Sequence, residues 1–123
     1  MIRPPKTRGI GLAAALAVLS LSSCADSRPP IGSGLPWDIA EGRSAFNQRV
    51  TDRFPVGSSE QALLTELRRE RFTVTAIPQP DPYQSRAAYT AHQIVCAATW
   101  TVVWRSEDGT IAAIAGGYGT VCL

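Results

Sequence analysis

The pattern of apolar and polar positions predicts an amphipathic α-helix over residues 38–54. Its apolar residues recur at steps of seven, four and four, which places them on one face of a helix: Ile39, Phe46, Val50 and Phe54. Asp38 precedes this stripe, and Glu41 three residues later gives the spacing of a capping box. Pro55 and Gly57 follow the stripe and end the helix.

A second helix is predicted to begin at Ser58, which has Gln61 at the capping-box spacing. Its apolar face is formed by three leucines: Leu63, Leu64 and Leu67. Its C-terminal end carries a basic cluster: Arg68, Arg69 and Arg71. Cations at this end complement the helix dipole, so a solvated, dipole-matched face is one interpretation of the cluster. The other is a partner surface for an anionic lipid headgroup or an acidic protein.

The remainder of the chain has the composition of β-strands. Residues 72–77 alternate with threonine and predict a first strand, which three prolines then break: Pro78, Pro80 and Pro82. Residues 79–86 are expected to form an exposed loop. Tyr83 on this loop is either a partner contact or a side chain that folds back over the core.

The longest β-like run covers residues 88–105, and its tryptophans alternate with valine at period two. Trp100 and Trp104 therefore share one face of a strand, where core packing is a simpler interpretation than a stacking or sugar site. Asp108-Gly109 predicts a hairpin turn, and residues 110–123 predict the returning strand. These elements indicate an α+β fold in which two helices precede three strands.

The hairpin bears on the two cysteines of this region. With a two-residue loop, Cys96 falls opposite Val121, one place short of Cys122. One bulged residue at Gly116 or Gly117, or a three-residue loop, would bring the two cysteines opposite each other. An even pair in an oxidising compartment indicates a disulfide, with buried thiols or a metal pair as the alternatives.

The start of the chain has the three-part layout of a secretory signal. A basic stretch is followed by the apolar residues 9–21, interrupted only by Ser20, and then by small residues before Cys24. A helix of that length spans roughly 20 Å, against about 30 Å of bilayer hydrocarbon, so a membrane-spanning helix is disfavoured. An ordinary cleaved signal is the other alternative.

The residues Leu21, Ser22, Ser23 and Cys24 resemble a bacterial lipobox. That resemblance implies a diacylglycerol thioether on the Cys24 thiol and cleavage between Ser23 and Cys24. Ala25 at the next position resembles the residue found in lipoproteins sorted to the outer membrane. The expected organisation is a signal peptide over residues 1–23, a lipidated N-terminus with a flexible Pro- and Gly-rich tether over residues 24–37, and one small α+β domain over residues 38–123.

Charge argues against a nucleic-acid partner. The chain has 12 Lys and Arg against 10 Asp and Glu, but three of the basic residues lie in the signal. Nine Arg and ten acids remain after residue 23, which gives a net charge of −1. A basic isoelectric point of the precursor is therefore no indication of nucleic-acid binding.

The sequence contains no recognisable catalytic constellation. His92 is the only histidine and lies in a β-like run, so a surface or packed histidine is the simpler interpretation than a general base. Residues 116–119 are glycine-rich but precede neither a Lys-Ser pair nor a helix, unlike a phosphate loop. No enzyme activity, cofactor or metal site is predicted, since a metal needs more ligands than these cysteines and His92 offer.

The order of elements resembles the small BamE/SmpA-type (BLIP-like) lipoproteins of Gram-negative outer membranes. Gly57, Ser58 and Ser59 stand where that family opens its second helix, and Trp100 or Trp104 stands for its central-strand aromatic. Where the family has Leu-Gly-x-Pro after that helix, this chain has residues 70–72, Glu-Arg-Phe. The resemblance implies two helices packed on a three-stranded antiparallel sheet.

The expected function follows from the anchor and this resemblance. The chain is expected to be a non-catalytic envelope lipoprotein, held by lipid on the outer membrane and facing the periplasm. Its partner is expected to be an envelope protein, which it binds or scaffolds during outer-membrane assembly or maintenance. The alternative is a tethered ligand-binding or enzyme-inhibitor module.

Overall fold

The structure is a computed structural model that describes residues 2, 3, 5 and 27–123. A short 3-10 turn, two helices and four strands follow each other along the chain: Pro30–Gly32, α1 Ile39–Arg53, α2 Glu60–Arg69, β1 Thr73–Ala76, β2 Ser85–His92, β3 Cys96–Glu107 and β4 Thr110–Cys122. The α+β class is confirmed. The lipobox with Ser23 and Cys24 lies outside the described residues.

The sheet has four strands in the order β1-β2-β3-β4, each antiparallel to its neighbour. The expectation of three strands is wrong because residues 88–105 form parts of two strands. The chain reverses between them at residues 93–95, where the Gln93 N–H donates to the Cys96 carbonyl at 2.7 Å. Ile94 and Val95 have the composition of a strand, and this conceals the turn.

Both helices begin with side-chain caps. Asp38 caps α1, and its carboxylate accepts the Glu41 N–H at 2.9 Å, as the sequence predicts. The cap of α2 is Ser59 rather than Ser58, and its hydroxyl accepts the Ala62 N–H. The Ser58 carbonyl instead accepts the Ile111 N–H at 2.9 Å, which joins the start of α2 to β4.

The C-terminal end of α2 accounts for residues 70–72, Glu-Arg-Phe. The Phe72 N–H donates to the Leu67 carbonyl and the Arg71 N–H to the Arg68 carbonyl, at 2.9 and 3.0 Å. This is a Schellman motif, which requires a left-handed residue. Arg71 occupies that position with φ of 68°. The turn therefore forms with arginine at the left-handed position.

Helix α1 packs closely against the edge strand β4. A Cβ at Gly116 would lie 3.0 Å from a Val50 methyl group and 3.1 Å from the Asn47 Cα, so only glycine fits without displacement. The Asn47 side chain accepts the Gly116 N–H at 2.9 Å, and Arg43 Nε donates to the Tyr118 carbonyl at 3.3 Å. One face of α1 thereby covers part of the sheet edge, which would otherwise offer unpaired backbone groups.

The hairpin has the predicted two-residue turn, since Glu107 pairs with Thr110. The register shifts between Arg105 and Ser106, opposite the extra residue Ala112, and from there onward Cys96 pairs with Cys122. The expected bulge at Gly116 or Gly117 and the three-residue loop are therefore wrong. Gly116 and Gly117 instead occupy positions where a Cβ would collide with α1 and with the Thr101 hydroxyl.

Residues 29–37 differ from the flexible tether that their composition predicts. Ile31 is 1% exposed and belongs to the same hydrophobic cluster as the helices and the sheet. Arg49 of α1 donates to the carbonyls of Ile31 and Ser33. One isoleucine among prolines and glycines is enough to fix the segment because its backbone groups are also bonded.

Candidate functional site at the disulfide end of the sheet

The end of the sheet farthest from the Asp108-Gly109 turn is closed by a disulfide. The Cys96 and Cys122 sulfurs lie 2.01 Å apart, and the two residues are the last pair of the β3–β4 ladder. Beyond them the Leu123 N–H donates to the Val95 carbonyl at 2.9 Å. The covalent link and these hydrogen bonds fix the ends of both strands and the turn that precedes β3.

Trp100 is the centre of an aromatic cluster on the helix side of this end. The Trp100 ring centroid lies 5.3 Å from that of Tyr118, 5.8 Å from that of Trp37 and 6.1 Å from that of Tyr89. Trp100 is buried, whereas Trp37 is 42% exposed. The core interpretation of Trp100 and Trp104 is therefore confirmed, and Trp37 is the tryptophan that could contact a partner.

A cleft of about 330 Å³ lies between Trp37 and the disulfide. Its walls contain no ionisable group apart from a tyrosine: Trp37, Gln93, Cys96, Ala98, Tyr118, Thr120 and Cys122. The Tyr118 hydroxyl donates to the Trp37 carbonyl at 3.0 Å, and burial raises the pKa of Tyr118. The cleft is thus a mainly apolar, uncharged depression.

An exposed apolar surface, which we call the apolar tip, surrounds the outer side of the disulfide. It consists of Ile94, Val95, Val121 and Leu123. Ile94 is 99% exposed, and Val95 and Val121 are 61% and 74% exposed. Single exposed aliphatic residues are ordinary on protein surfaces, but a contiguous group beside a closed turn indicates an interaction surface.

The predicted partner residues do not form one surface. The basic cluster lies at the end of α2, just before β1, whereas Tyr83 lies in the loop after β1. Arg69 is also engaged, since its Nε donates to Glu66 Oε2 at 3.1 Å. Tyr83 is half-buried, and its N–H donates to the Asp81 carboxylate at 2.8 Å. The basic cluster and Tyr83 therefore lie at opposite ends of β1.

His92 is exposed at the end of β2. Within residues 27–123 and the few described before them, no three His, Cys, Asp or Glu side chains are grouped so that they could hold a metal ion. No helix in the described part of the chain is long and apolar enough to cross a membrane. No protein-family model, curated protein or solved structure matches this chain.

A buried carboxylate attaches the N-terminal segment to α2. The Glu70 side chain is 2% exposed, and its Oε1 accepts the Ile31 N–H at 2.6 Å. Arg53 of α1 lies 3.4 Å from the other carboxylate oxygen. Glu70 therefore connects three parts of the chain that the sequence does not relate. An acid at the negative end of a helix is unfavourable, so the position of Glu70 in the sequence indicates that its side chain has a specific partner.

Glu66 and Glu70 respond to this environment in opposite directions. The hydrogen bond from Arg69 lowers the pKa of Glu66. Burial raises the pKa of Glu70, with a further increase from the neighbouring Glu66 carboxylate, against the lowering effects of the Ile31 N–H and Arg53. The charged form is therefore favoured at Glu66, which is bonded to Arg69, and disfavoured at the buried Glu70.

We expect Glu70→Leu to destabilise the protein by about 1–3 kcal/mol because it leaves the buried Ile31 N–H without an acceptor. Glu70→Gln is the matched control, since its amide oxygen can still accept that hydrogen bond. Urea unfolding monitored by tryptophan fluorescence gives both values. Equal losses for the two variants would contradict the role of the hydrogen bond.

The raised pKa of Glu70 also makes the free energy of unfolding depend on pH. Because the pKa of Glu70 is raised, its contribution is fully present below the ordinary glutamate pKa of about 4.3 and is lost as the pH rises through the raised value. The free energy of unfolding of the parent, minus that of Glu70→Gln, should therefore fall as the pH rises from this range. A difference that grows with pH would have the wrong sign.

The disulfide is expected to be a large part of the stability. It closes a loop of 26 residues, which is worth about 3–4 kcal/mol in the chain-entropy model. The double variant Cys96→Ala, Cys122→Ala should have a correspondingly lower urea midpoint. Reductant should lower the midpoint of the parent by the same amount and leave that of the double variant unchanged. Labelling of two thiols in the unreduced, denatured parent would show that the pair is not bonded.

Proposed function

We propose that this chain is a lipid-anchored, non-catalytic envelope protein that presents its domain to a protein partner. The observation that carries the proposal is the division of the three cysteines. Cys96 and Cys122 are joined on the sheet, which suits an oxidising compartment, and Cys24 alone stands at the end of a lipobox. A disulfide pair and a lipidated cysteine together account for all three cysteines of the chain.

The packed N-terminal segment supports a close attachment to the membrane. Only three residue steps separate Cys24 from Ser27, whose carbonyl accepts a hydrogen bond from the Tyr89 hydroxyl at 3.1 Å. That length of chain spans at most about 10 Å. A lipid on Cys24 would therefore hold the domain against the bilayer rather than at the end of a long tether. Placement on the outer membrane, facing the periplasm, rests on the resemblance at Ala25.

The open face of the sheet supports protein binding. On β3, Trp100 and Val102 point towards the helices, so the residues between them point away. The centre of that opposite face has small side chains: Ala88, Thr90, Ala97, Thr99, Thr101, Gly117 and Gly119. Around them lie Arg86, His92, Val103 and Arg105. The depression on this face, about 440 Å³ beside Arg86, is shallow and open to solvent. Such a surface suits a protein better than a small ligand, which needs an enclosed concave site.

A tethered ligand-binding or inhibitor module is the second candidate, and the cleft beside Trp37 favours it. Its volume of about 330 Å³ is at the lower end of small-molecule sites, which are roughly 300–1,000 Å³. A role in outer-membrane assembly would follow from the BamE/SmpA-type layout. The two helices agree with that layout, whereas the fourth strand departs from it.

Lipidation is tested by mass spectrometry of the N-terminal peptide from membranes. We expect a diacylglycerol thioether on Cys24 and no residue before it. Cys24→Ala should leave the full-length precursor without lipid, whereas Ser23→Ala, which keeps a small residue at the cleavage site, should be processed normally. A free Cys24 thiol, or cleavage at another bond, would contradict the anchor.

Protein binding is tested by a photoactivatable amino acid at Thr101 on the open face. The matched control is the same amino acid at Ala62, an exposed position of α2. We expect an adduct of one discrete mass from Thr101 in intact cells and none from Ala62. Equal adducts at both positions, or none at Thr101, would count against a protein partner on this face and favour the ligand-binding module.

A further inference from the structure

The apolar tip is a rigid projection at one end of the molecule. Val95 and Val121 flank the disulfide, and Ile94 lies at the outermost point of the turn between β2 and β3. Backbone hydrogen bonds from Gln93 to Cys96 and from Leu123 to Val95 close this turn on both sides. Its aliphatic side chains are therefore held outside the core by a braced backbone, and no loop folding is needed to expose them.

The N-terminal segment reaches the same end of the sheet. Trp37 lines the cleft beside the disulfide, and the Arg28 guanidinium lies 4.3 Å from the centroid of the Trp37 ring. The Ser27 carbonyl is bonded to Tyr89, whose strand ends three residues later at His92 beside the tip. Any chain that leaves Ser27 towards Cys24 thus begins at the disulfide end.

The other end of the sheet is far from this point. Strand β3 runs from Cys96 to Glu107, and eleven steps of about 3.4 Å give a length of roughly 37 Å. The acidic turn residues Glu107 and Asp108 lie at the distal end, whereas Arg28 and His92 lie at the tip end. Trp37 adds a half-exposed indole near the tip, a side chain that favours membrane–water interfaces.

We propose that the apolar tip inserts into the interface of the bilayer that carries the Cys24 lipid, an inference that rests on the proposed anchoring. The anchor can lie no more than about 10 Å from Ser27. An anchor at that distance lies at the tip end of the sheet, because Ser27 bonds to Tyr89 near the end of β2. The anchor and the tip together then fix the orientation of the sheet. The Asp108-Gly109 turn then points away from the membrane.

The shape of the tip favours lipid over a protein occupant. The tip is a projecting turn with a few aliphatic side chains, and the depression among them is small, about 220 Å³. Lipid acyl chains adapt to a projection, whereas a protein would need a complementary pocket and an interface of about 800 Å² on each side. Interfacial amphipathic helices bury their apolar face by about 5–10 Å in the headgroup and acyl boundary, and we expect a similar depth for the tip.

The test compares two exposed aliphatic positions at opposite ends of the sheet. Ile94→Trp reports on the tip, and Val56→Trp is the matched control. Val56 is 66% exposed and precedes Gly57, whose N–H bonds to Ile111 near the distal turn. Each variant is isolated from membranes in its processed form, reconstituted into vesicles of brominated phosphatidylcholine and compared with the parent. Val121→Trp replaces Ile94→Trp if the latter does not fold.

The tryptophan emission of each variant in excess of the parent's is the emission of the new residue. We expect the brominated lipid to quench a several-fold larger fraction of it for Ile94→Trp than for Val56→Trp. Equal quenching at both positions would overturn the proposal, as would an unquenched tip in a protein that sediments as a dimer. The mass of the N-terminal peptide is measured on the same samples. A lipidated Cys24 with an unquenched tip rejects the insertion and leaves the anchor intact. A quenched tip without lipid supports the insertion and rejects the anchor.

Discussion

The register between β3 and β4 is the constraint on which the rest of the domain depends. Ile111 and Tyr118 are both buried on the helix side, although their positions differ by an odd number of residues. Side chains alternate along a strand, so an unbroken β4 could bury only one of them. The extra residue Ala112 restores both to the same face. The same shift brings Cys122 opposite Cys96 and places Gly116 beneath α1.

The local signals in the sequence predicted local structure well. Asp38 as a helix cap, Asp108-Gly109 as a two-residue turn and the pairing of Cys96 with Cys122 all agree with the structure. The cap and the turn depend on a few neighbouring residues, and the cysteine pair, 26 residues apart, depends on the hairpin that this turn creates. The position of the bulge was wrong because glycine was taken as its only sign. The odd spacing of Ile111 and Tyr118 indicates one extra residue between them, but it does not distinguish Ala112 from Gly116 or Gly117.

The features that the sequence did not reveal depend on contacts between distant segments. Composition could not distinguish a turn at Ile94 from a strand, because the β-branched residues there are exposed on the turn and do not pack in the core. Likewise, Ile31 looked like part of a tether because its partner Glu70 lies 39 residues away. Gly116 was interpreted as a break in the strand, whereas its role is to admit the backbone of α1. None of these roles has a periodic pattern.

The attachment of the N-terminal segment connects fold stability to the proposed position at the membrane. If residues 29–37 were free, the lipid on Cys24 would hold the domain through a long tether and allow it any orientation. Because Ile31 is bonded to Glu70 and Ser27 to Tyr89, only three residue steps separate Cys24 from the first of these bonded residues. In the proposed arrangement, an anchor this short would transmit force to the disulfide end of the sheet, and a rigid turn would resist that force. The disulfide supplies that rigidity, and the open sheet face is left accessible along its length.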